Sequence, residues 1–247
     1  MNNRLMQQLG DKIKYANFSA EDAAKLYLSY AKITKNYGAA IRAVQTKLEI
    51  LDEDFELLHE HNPIHHMETR VKSIESILEK LTRKGYPLTG QAITEGLTDV
   101  AGIRVICHYV EDIYTIADLL KRQADIQVVK ETDYIKHPKP NGYRSYHLVV
   151  KVPVFFVDGV VEMPVEVQIR TMAMDFWASL EHKLRYKSDG LIPKFIADEL
   201  KECSETIAAS DLKMQRIHSF LEDIEHNLQL PELVDETLSQ EAEREGN

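Results

Sequence analysis

Two stretches, NGYRSYHLVVKV at residues 141–152 and VEMPVEVQIRTMAMDFWASLEHKLRYK at residues 161–187, decide the fold of this chain. In the second stretch apolar and polar residues alternate up to Arg170, a pattern typical of a strand that buries one face. The residues after this strand are predicted to continue directly into a helix. Because successive side chains of a strand point to opposite sides, Glu166 and Gln168 share a face with Arg170.

The first stretch is also predicted to be a strand. Alternation divides its side chains between two faces, with Tyr143, Ser145 and His147 on one and Arg144, Tyr146 and Leu148 on the other. Together the two strands would present a carboxylate, an amide, a guanidinium, a phenol and an imidazole. Such a surface is costly to bury, because each polar group would need its own hydrogen-bond partner. We therefore do not expect these polar groups to lie in a hydrophobic core.

The chain before these strands contains two helical patterns separated by a break. The first runs from Ser19 to about Phe55 and is amphipathic, so it is predicted to be a helix or helix pair that needs a partner surface. The break, HEHNPIHHM at residues 59–67, is interpreted as a solvated linker rather than a metal site, since no carboxylate or thiol pattern accompanies its histidines. The second pattern, residues 69–85, is predicted to be a helix that stops at Gly85.

A basic row runs along the second predicted helix, opposite its apolar stripe. It consists of Lys72, Ser76, Lys80 and Arg83. On this helix alone a solvated cationic face is the simpler interpretation, and phosphate binding is the alternative.

The remaining elements define the fold class. Residues 97–110 contain a tight turn at Gly102 and a strand, with Asp99 just before it, and residues 111–131 contain a helix and a further strand. This order predicts an α+β fold, in which helices flank a mixed sheet of about five strands. We expect three parts: an N-terminal helical extension at residues 1–64, a central domain at 65–190, and a C-terminal helix with an acidic tail at 191–247. In the helix after the second quoted strand, the apolar residues Phe176, Trp177, Leu180 and Leu184 are predicted to be buried.

The charge of the chain is distributed unevenly. The formal net charge is −10, but residues 65–190 contain 17 basic and 17 acidic residues, so the whole deficit lies in the flanks. The middle can therefore accept an anionic substrate.

No apolar run approaches the roughly 20 residues that a membrane span needs, and no secretion signal is recognisable at the start, so a cytoplasmic location is expected. Cys107 and Cys203 are expected to be reduced thiols.

Two acidic residues, Asp99 and Glu166, are the candidate metal ligands. One or two carboxylates together with substrate phosphates form a usual Mg²⁺ site. Basic residues that could bind phosphate or stack on a base accompany them, namely Arg70, Lys72, Arg83, Arg104, Lys139 and Arg170. With Tyr143 as an aromatic platform, this set favours phosphoryl-type transfer, in which the protein neutralises charge and aligns two substrates. His147 and His182 could act as acids or bases, although a lone histidine is more often a structural hydrogen-bonding group. Glu181 could be catalytic, or it could simply form a surface pair with Arg185.

Four blocks, TRVKSIESILEK, DVAGIRV, NGYRSYHL and VEVQIRTMAMDFWASLEH, occur in this order between residues 69 and 182. Together they resemble the synthetase domain of the RelA/SpoT family, most closely its stand-alone small alarmone synthetases of the RelQ kind. The resemblance implies a nucleotidyltransferase-like sheet. It also implies a Mg²⁺-dependent transfer of pyrophosphate from ATP to the ribose 3′-OH of GDP or GTP, with AMP released.

The resemblance implies a role for each matching residue on the ATP side. Arg70 and Arg104 would enclose adenine, and three residues would hold the ATP phosphates: Lys72, Ser76 and Arg83. Asp99 and Glu166 would bind Mg²⁺, and Glu166 would also accept the proton of the 3′-OH as general base.

On the acceptor side, the resemblance implies that Tyr143 stacks on guanine and that Lys139 meets the phosphates of GDP or GTP. His147 and Gln168 would order the acceptor. Asp175 occupies a position near the guanine at which relatives carry Asn, so its role in recognising the base stays open. Glu181 and His182 match the Glu-His pair of the family.

Further expectations concern activity and assembly. Hydrolysis is not expected, since only 69 residues precede Arg70 and the sequence contains no His-Asp dipeptide. The helical flanks resemble those through which small synthetases form tetramers, and (p)ppGpp is a candidate allosteric effector. One alternative keeps the site but changes the acceptor to adenine nucleotides or the 3′ end of tRNA. Another is an oligomeric nucleotide- or RNA-binding regulator, although the acidic flanks argue against broad RNA binding.

Overall fold

A mixed five-stranded sheet forms the centre of the computed structural model, which describes residues 20–187 and 192–245. The strands lie in the order β1-β2-β5-β4-β3. Only the β2–β5 pair is parallel among these neighbours; the other pairs are antiparallel. The strands are β1 Ile64–Val71, β2 Ala101–Cys107, β3 Gln127–Asp133, β4 Tyr146–Phe156 and β5 Gly159–Thr171. The predicted α+β class with about five strands is confirmed.

Helices flank this sheet, and several begin or end at recognisable capping residues. They are α1 Ala20–Leu58, α2 Ile74–Lys84, α3 Gly90–Gly96, α4 Val110–Lys121, α5 Met172–Lys187 and α6 Lys194–Glu245. The Ser73 side chain accepts a hydrogen bond from the Ser76 amide at the start of α2, which satisfies one of the free amides of the first turn. Gly85 ends the same helix in the left-handed region, with φ of 70°, where glycine has no Cβ to clash.

One hydrophobic core joins α1 to the sheet. Tyr37, Val44 and Leu48 of α1 are fully buried and belong to the same cluster as Val105 of β2 and Val167 of β5. The partner surface that the amphipathic pattern of α1 requires is therefore the sheet itself. Ser19, the expected first residue of this helix, lies outside the described residues. The three-part division of the chain stays a prediction.

The strand register places polar residues of several strands on the opposite face of the sheet. Arg70 of β1 pairs with Gly102 of β2, which in turn pairs with Glu166 of β5. Likewise Gln168 of β5 lies between Arg104 of β2 and His147 of β4. Since paired residues point to the same side of a sheet, all these side chains share one face.

Three predicted boundaries are wrong. Residues 64–67, expected in a linker, and residues 69–71, expected in a helix, form β1, because they pair with β2. The helix begins only after Ser73, so Lys72 precedes it and is not part of a row along its surface. The strand expected from residue 141 begins at Tyr146, which leaves Tyr143 in the preceding loop.

The prediction of a buried stripe on α5 holds for one residue in four. Trp177 is buried, and its indole nitrogen donates to the carbonyl oxygen of Leu200 in α6 at 2.8 Å. The other three side chains are substantially exposed: Phe176 at 58%, Leu180 at 43% and Leu184 at 46%. The helix therefore packs through its Trp177 side and leaves an apolar surface uncovered within the described chain.

Both cysteines are free thiols, Cys107 buried in β2 and Cys203 exposed on α6. Among the helices of residues 20–187 and 192–245, none combines the length and apolar character needed to cross a membrane.

Candidate active site

The two acidic candidates, Asp99 and Glu166, line one cavity on the polar face of the sheet. Asp99 lies two residues before β2, and Glu166 lies on β5, which pairs with β2 in parallel. This pairing brings together two carboxylates that are 67 positions apart in the sequence. Three further predicted residues line the same cavity: Arg70, Arg104 and Gln168.

Two lysines hold Asp99. The Lys72 and Lys80 ammonium groups lie 2.6 Å and 2.5 Å from its Oδ2 atom. Burial alone would raise the pKa of Asp99, but the hydrogen bonds and positive charges of both lysines lower it below its ordinary value of 3.8. Its second oxygen, Oδ1, is buried without a hydrogen-bond partner in the described chain. Asp99 is thus an ionised carboxylate with an oxygen to spare.

Glu166 is ionised for a similar reason. The Gln168 side-chain amide donates to its Oε2 atom at 2.8 Å, and His147 Nδ1 lies 3.6 Å from Oε1. Burial would raise the pKa of Glu166, but the contacts with His147 and Gln168 lower it below 4.5. A carboxylate of this kind can bind a cation or accept a proton at neutral pH.

Tyr143 forms an aromatic surface beside the acidic cavity. Its hydroxyl oxygen lies 2.8 Å from His147 Nε2, and the Lys139 ammonium lies 4.6 Å from the centre of its ring. The ring of Tyr134 meets the rings of Tyr143 and His147 edge to face. Tyr143 also lines a second cavity, which shares Arg70, Arg104 and Gln168 with the first. Arg70 and Arg104 of the predicted ATP side therefore meet Tyr143 and Gln168 of the predicted acceptor side where the cavities adjoin.

A buried guanidinium connects these groups. Arg170 is 3% exposed and donates to Gln168 Oε1 at 2.6 Å and to the Tyr143 hydroxyl at 3.0 Å. Burial lowers the pKa of Arg170, while Tyr143 and Asp175 oppose this shift. Asp175 Oδ1 accepts from Arg170 at 3.3 Å and lies 3.6 Å from an Arg104 nitrogen. Asp175 thus balances two cations beside the acceptor surface.

Two predicted phosphate-binding residues lie on α2, outside the residues that line the two cavities. Ser76 is in the first turn, where its amide is bonded to Ser73, and Arg83 is exposed in the last turn. Their role in holding ATP stays a prediction. Glu181 is buried rather than a surface residue; it accepts from Asn141 at 3.1 Å and also contacts Arg185.

Sequence reasoning missed one residue that the structure brings into the site, Tyr134, and it did not predict the contacts that Lys80 and Arg170 make there. Lys80, which contacts Asp99, was visible in the basic row of residues 72–83, and Arg170 was visible in the alternation of β5. Tyr134, whose ring packs against His147, follows β3 in an irregular loop, and no periodic pattern marks it.

The donor set fits a hard divalent cation that substrate phosphates help to bind. No group of three or more His, Cys, Asp or Glu suited to a metal occurs in the described part of the chain. Asp99 and Glu166 nevertheless face one cavity, and Asp99 Oδ1 has no other partner among the described residues. Mg²⁺ commonly binds through one or two carboxylates and completes its shell with water and phosphate oxygens.

The sequence and the fold both match known proteins. Residues 69–191 match the model described as "Region found in RelA / SpoT proteins". The chain is 48% identical over 178 residues to the GTP pyrophosphokinase YwaC of Bacillus subtilis, covering 72% of this chain and 85% of that protein. The chain belongs to the RelA/SpoT family. Another member, the GTP pyrophosphokinase YjbM of the same species, is 40% identical over 187 residues, 76% of this chain and 87% of that protein.

A solved RelA/SpoT-family structure has the same fold. The crystal structure of small alarmone synthetase 1 from Bacillus subtilis, bound to its product pppGpp, superposes with a TM-score of 0.73 at 39% identity. The match covers 77% of this chain and 96% of that one. The family predicted from the four sequence blocks is therefore confirmed, and so is the likeness to its small synthetases.

Proposed function

We propose that this protein is a (p)ppGpp synthetase, which transfers pyrophosphate from ATP to the ribose 3′-OH of GDP or GTP and releases AMP. The observation that carries the proposal is the cavity shared by Asp99, Glu166, Arg70 and Arg104. Two ionised carboxylates beside two guanidiniums suit a reaction that concentrates phosphate charge around a cation. The names of its relatives, GTP pyrophosphokinases, and the pppGpp held by one of them support the same reaction.

On the ATP side, Arg70 and Arg104 present planar guanidiniums that can stack on adenine. Lys72 and Lys80 now neutralise Asp99, and both can exchange this carboxylate for phosphate oxygens when ATP binds. We infer that Ser76 and Arg83 extend this cradle along α2, since they follow Lys72 on the same segment.

The proposed cofactor is Mg²⁺, held by Asp99 and Glu166. Enzymes of this kind generally use a divalent metal ion, and the spare oxygen of Asp99 suits such a ligand. When bound, the ion would offset the negative charge of the transferred group.

On the acceptor side, Tyr143 stacks on guanine, Lys139 meets the acceptor phosphates, and His147 and Gln168 orient the ribose. Glu166 accepts the proton of the 3′-OH while the 3′ oxygen of the acceptor attacks the β-phosphorus of ATP. The bond between that phosphorus and the oxygen bridging to the α-phosphate breaks, and AMP leaves with the bond electrons. Asp175 holds Arg104 and Arg170 in place rather than reading the base, as its two ion pairs support.

We further propose that copies of this chain assemble, as a tetramer by family likeness, through the apolar surface of α5 and α6. Phe176 on α5 and Phe220 on α6 are 58% and 67% exposed, and such surfaces favour association. A cytoplasmic location and (p)ppGpp as an allosteric effector are parts of the same proposal.

The reaction can be tested with purified protein, Mg²⁺ and ATP labelled in its β-phosphate. GDP, GTP, unlabelled ATP and tRNA are supplied separately as acceptors. Label on GDP or GTP, with AMP released, supports the proposal. Label found only as a 3′-pyrophosphate on an adenine nucleotide, or only on tRNA, would assign a different acceptor, since the ring of Tyr143 can stack on any base. If the protein binds nucleotides but transfers no pyrophosphate, the alternative of a nucleotide-binding regulator is favoured.

The two carboxylates provide a direct test. We predict that Asp99→Asn and Glu166→Gln each lower kcat on the order of 1,000-fold, because each removes a charge that stabilises the transferred group. Glu162→Gln is the matched control, since Glu162 is an exposed residue on the same face of β5, four residues before Glu166. Near-normal turnover by either site variant would refute the metal and base assignments.

A further inference from the structure

Two of the proposed acceptor residues, Lys139 and Tyr143, lie on a short irregular segment, here called the acceptor loop, Lys139 to Ser145. The loop closes on itself, because the Gly142 amide donates to the Lys139 carbonyl at 2.8 Å and the Lys139 amide donates to the Tyr143 carbonyl at 3.1 Å. Gly142 has φ of 91°, in the left-handed region that favours glycine. Tyr143 therefore depends for its position on a tight turn outside the sheet.

Ser204 of α6 touches this turn on both sides of Tyr143. Its hydroxyl donates to the Gly142 carbonyl at 2.5 Å and accepts from an Arg144 guanidinium nitrogen at 2.7 Å. The same nitrogen lies 3.3 Å from the Ser204 carbonyl oxygen. Ser204 is 4% exposed, and a Cβ atom on Gly142 would lie 2.7 Å from the Ser204 Cβ. One side chain thus holds both chain neighbours of Tyr143.

The helix that carries Ser204 is fixed to the rest of the protein independently of the loop. Trp177 of α5 donates to the Leu200 carbonyl at 2.8 Å, Thr171 donates to Asp211 at 2.5 Å, and the Glu111 amide donates to Gln215 at 3.0 Å. Leu200, Ser204, Asp211 and Gln215 are spaced by 4, 7 and 4 residues, so they lie on one face of α6. Ser204 is therefore presented to the loop by an anchored support.

We propose that Ser204 is a positioning residue for the acceptor nucleotide: through Gly142 and Arg144 it holds Tyr143 and Lys139 in the geometry that binds GDP or GTP. This inference rests on the proposed function, since it takes Tyr143 to be the acceptor platform. On this inference α6 helps to bind the acceptor, GDP or GTP, and has no part in binding ATP. The acidic cavity and the two lysines that contact Asp99 belong to other segments, namely β1, β2, β5, α2 and the residues just before α2 and β2.

The test compares Ser204→Ala with Ser204→Thr, which retains the hydroxyl. Ser210→Ala is the control, because Ser210 is exposed on the same helix and its hydroxyl donates to the Thr206 carbonyl at 3.1 Å. For Ser204→Ala we expect KM for GDP and GTP to rise about five- to tenfold, as one charge-assisted hydrogen bond is lost. KM for ATP should stay within about twofold, and Ser204→Thr and Ser210→Ala should resemble wild type.

Amide hydrogen exchange gives a second reading. Ser204→Ala should speed exchange at Lys139 and Gly142, whose amides close the loop, and leave exchange in α2 unchanged. An equal rise of both KM values, or an unchanged KM for the acceptor, would overturn the inference. If wild type transfers nothing to GDP or GTP, the proposed function fails instead. In that case the dissociation constant of GDP is measured by calorimetry for wild type and for Ser204→Ala. A weaker binding of GDP by Ser204→Ala would support the positioning role, and equal binding would overturn it.

Discussion

At the residue scale, the ring and the hydroxyl of Tyr143 can contribute separately to binding the acceptor nucleotide. The hydroxyl contacts His147 and Arg170, and Tyr143 also lines the second cavity. We predict that Tyr143→Phe lowers kcat/KM for GDP by less than about tenfold, because the stacking surface remains. Tyr143→Leu should lower it by about 10- to 100-fold, since base stacking contributes about 1–3 kcal/mol. Steady-state kinetics with GDP varied at saturating ATP measures both, and an equal effect of the two changes would contradict stacking.

The buried carboxyl of Asp211 makes the stability of the protein depend on pH. Burial raises its pKa above the ordinary 3.8, although the hydrogen bond from Thr171 partly opposes this. The folded state therefore binds the proton more tightly than the unfolded state, and the free energy of unfolding falls as pH rises through this range. Asp211→Asn keeps an acceptor for Thr171 without the charge, so it should stabilise the protein at pH 7. Its advantage should shrink as pH approaches 4, which urea unfolding at several pH values would measure.

Asp118 is the control for this prediction, because its pKa is shifted in the opposite direction. It is an exposed residue of α4 whose pKa is lowered, chiefly by the hydrogen bond from Lys121, 2.8 Å away. Its contribution to stability is present above pH 3.8 and is lost as pH falls through the lowered pKa. Asp118→Asn should thus destabilise slightly at pH 7, or change nothing measurable. A stabilising effect as large as that of Asp211→Asn would show that charge removal in general, not relief of burial, is responsible.

At the element scale, the start of α2 depends on Ser73. Its side chain accepts from the Ser76 amide in the first turn of the helix whose later turn carries Lys80. We predict that Ser73→Ala lowers the free energy of unfolding by about 1 kcal/mol, and that Ser73→Asn, which also caps helices, restores most of it. Thermal or urea denaturation distinguishes the two. Equal losses for Ala and Asn would mean that the cap is not what stabilises this turn.

Strand β1 shows why some elements escaped prediction. Residues 64–71 contain four charged or imidazole side chains, two of them consecutive, and no clean alternation, and the strand is exposed over most of its length. It forms because the backbone groups of an edge strand pair with β2, an interaction that local patterns do not reveal. Strand β5, buried over its second half, was predictable from its alternation.

At the scale of the whole molecule, α1 and the sheet should unfold together. Leu48 is fully buried in the core they share, so Leu48→Ala should cost about 2–5 kcal/mol. Leu57, 81% exposed on the same helix, is the control, and its change to Ala should cost less than about 0.5 kcal/mol. The single tryptophan, Trp177, lies on α5 and reports unfolding far along the chain from α1. If Leu48→Ala leaves the Trp177 transition unchanged, α1 is an independent unit.

The sequence by itself determined the central strand β5, the helix after it, the family and most of the charged residues of the site. Alternation and the four blocks are local signals, and Asp99, Glu166 and Arg104 can be recognised from them. Tertiary structure alone decided that Asp99 is held by Lys72 and Lys80 and that Tyr134 packs against His147. It also decided that Ser204 of a distant helix holds the turn before β4. These contacts join residues far apart in the chain, so they depend on strand register and helix packing, which a local pattern does not contain.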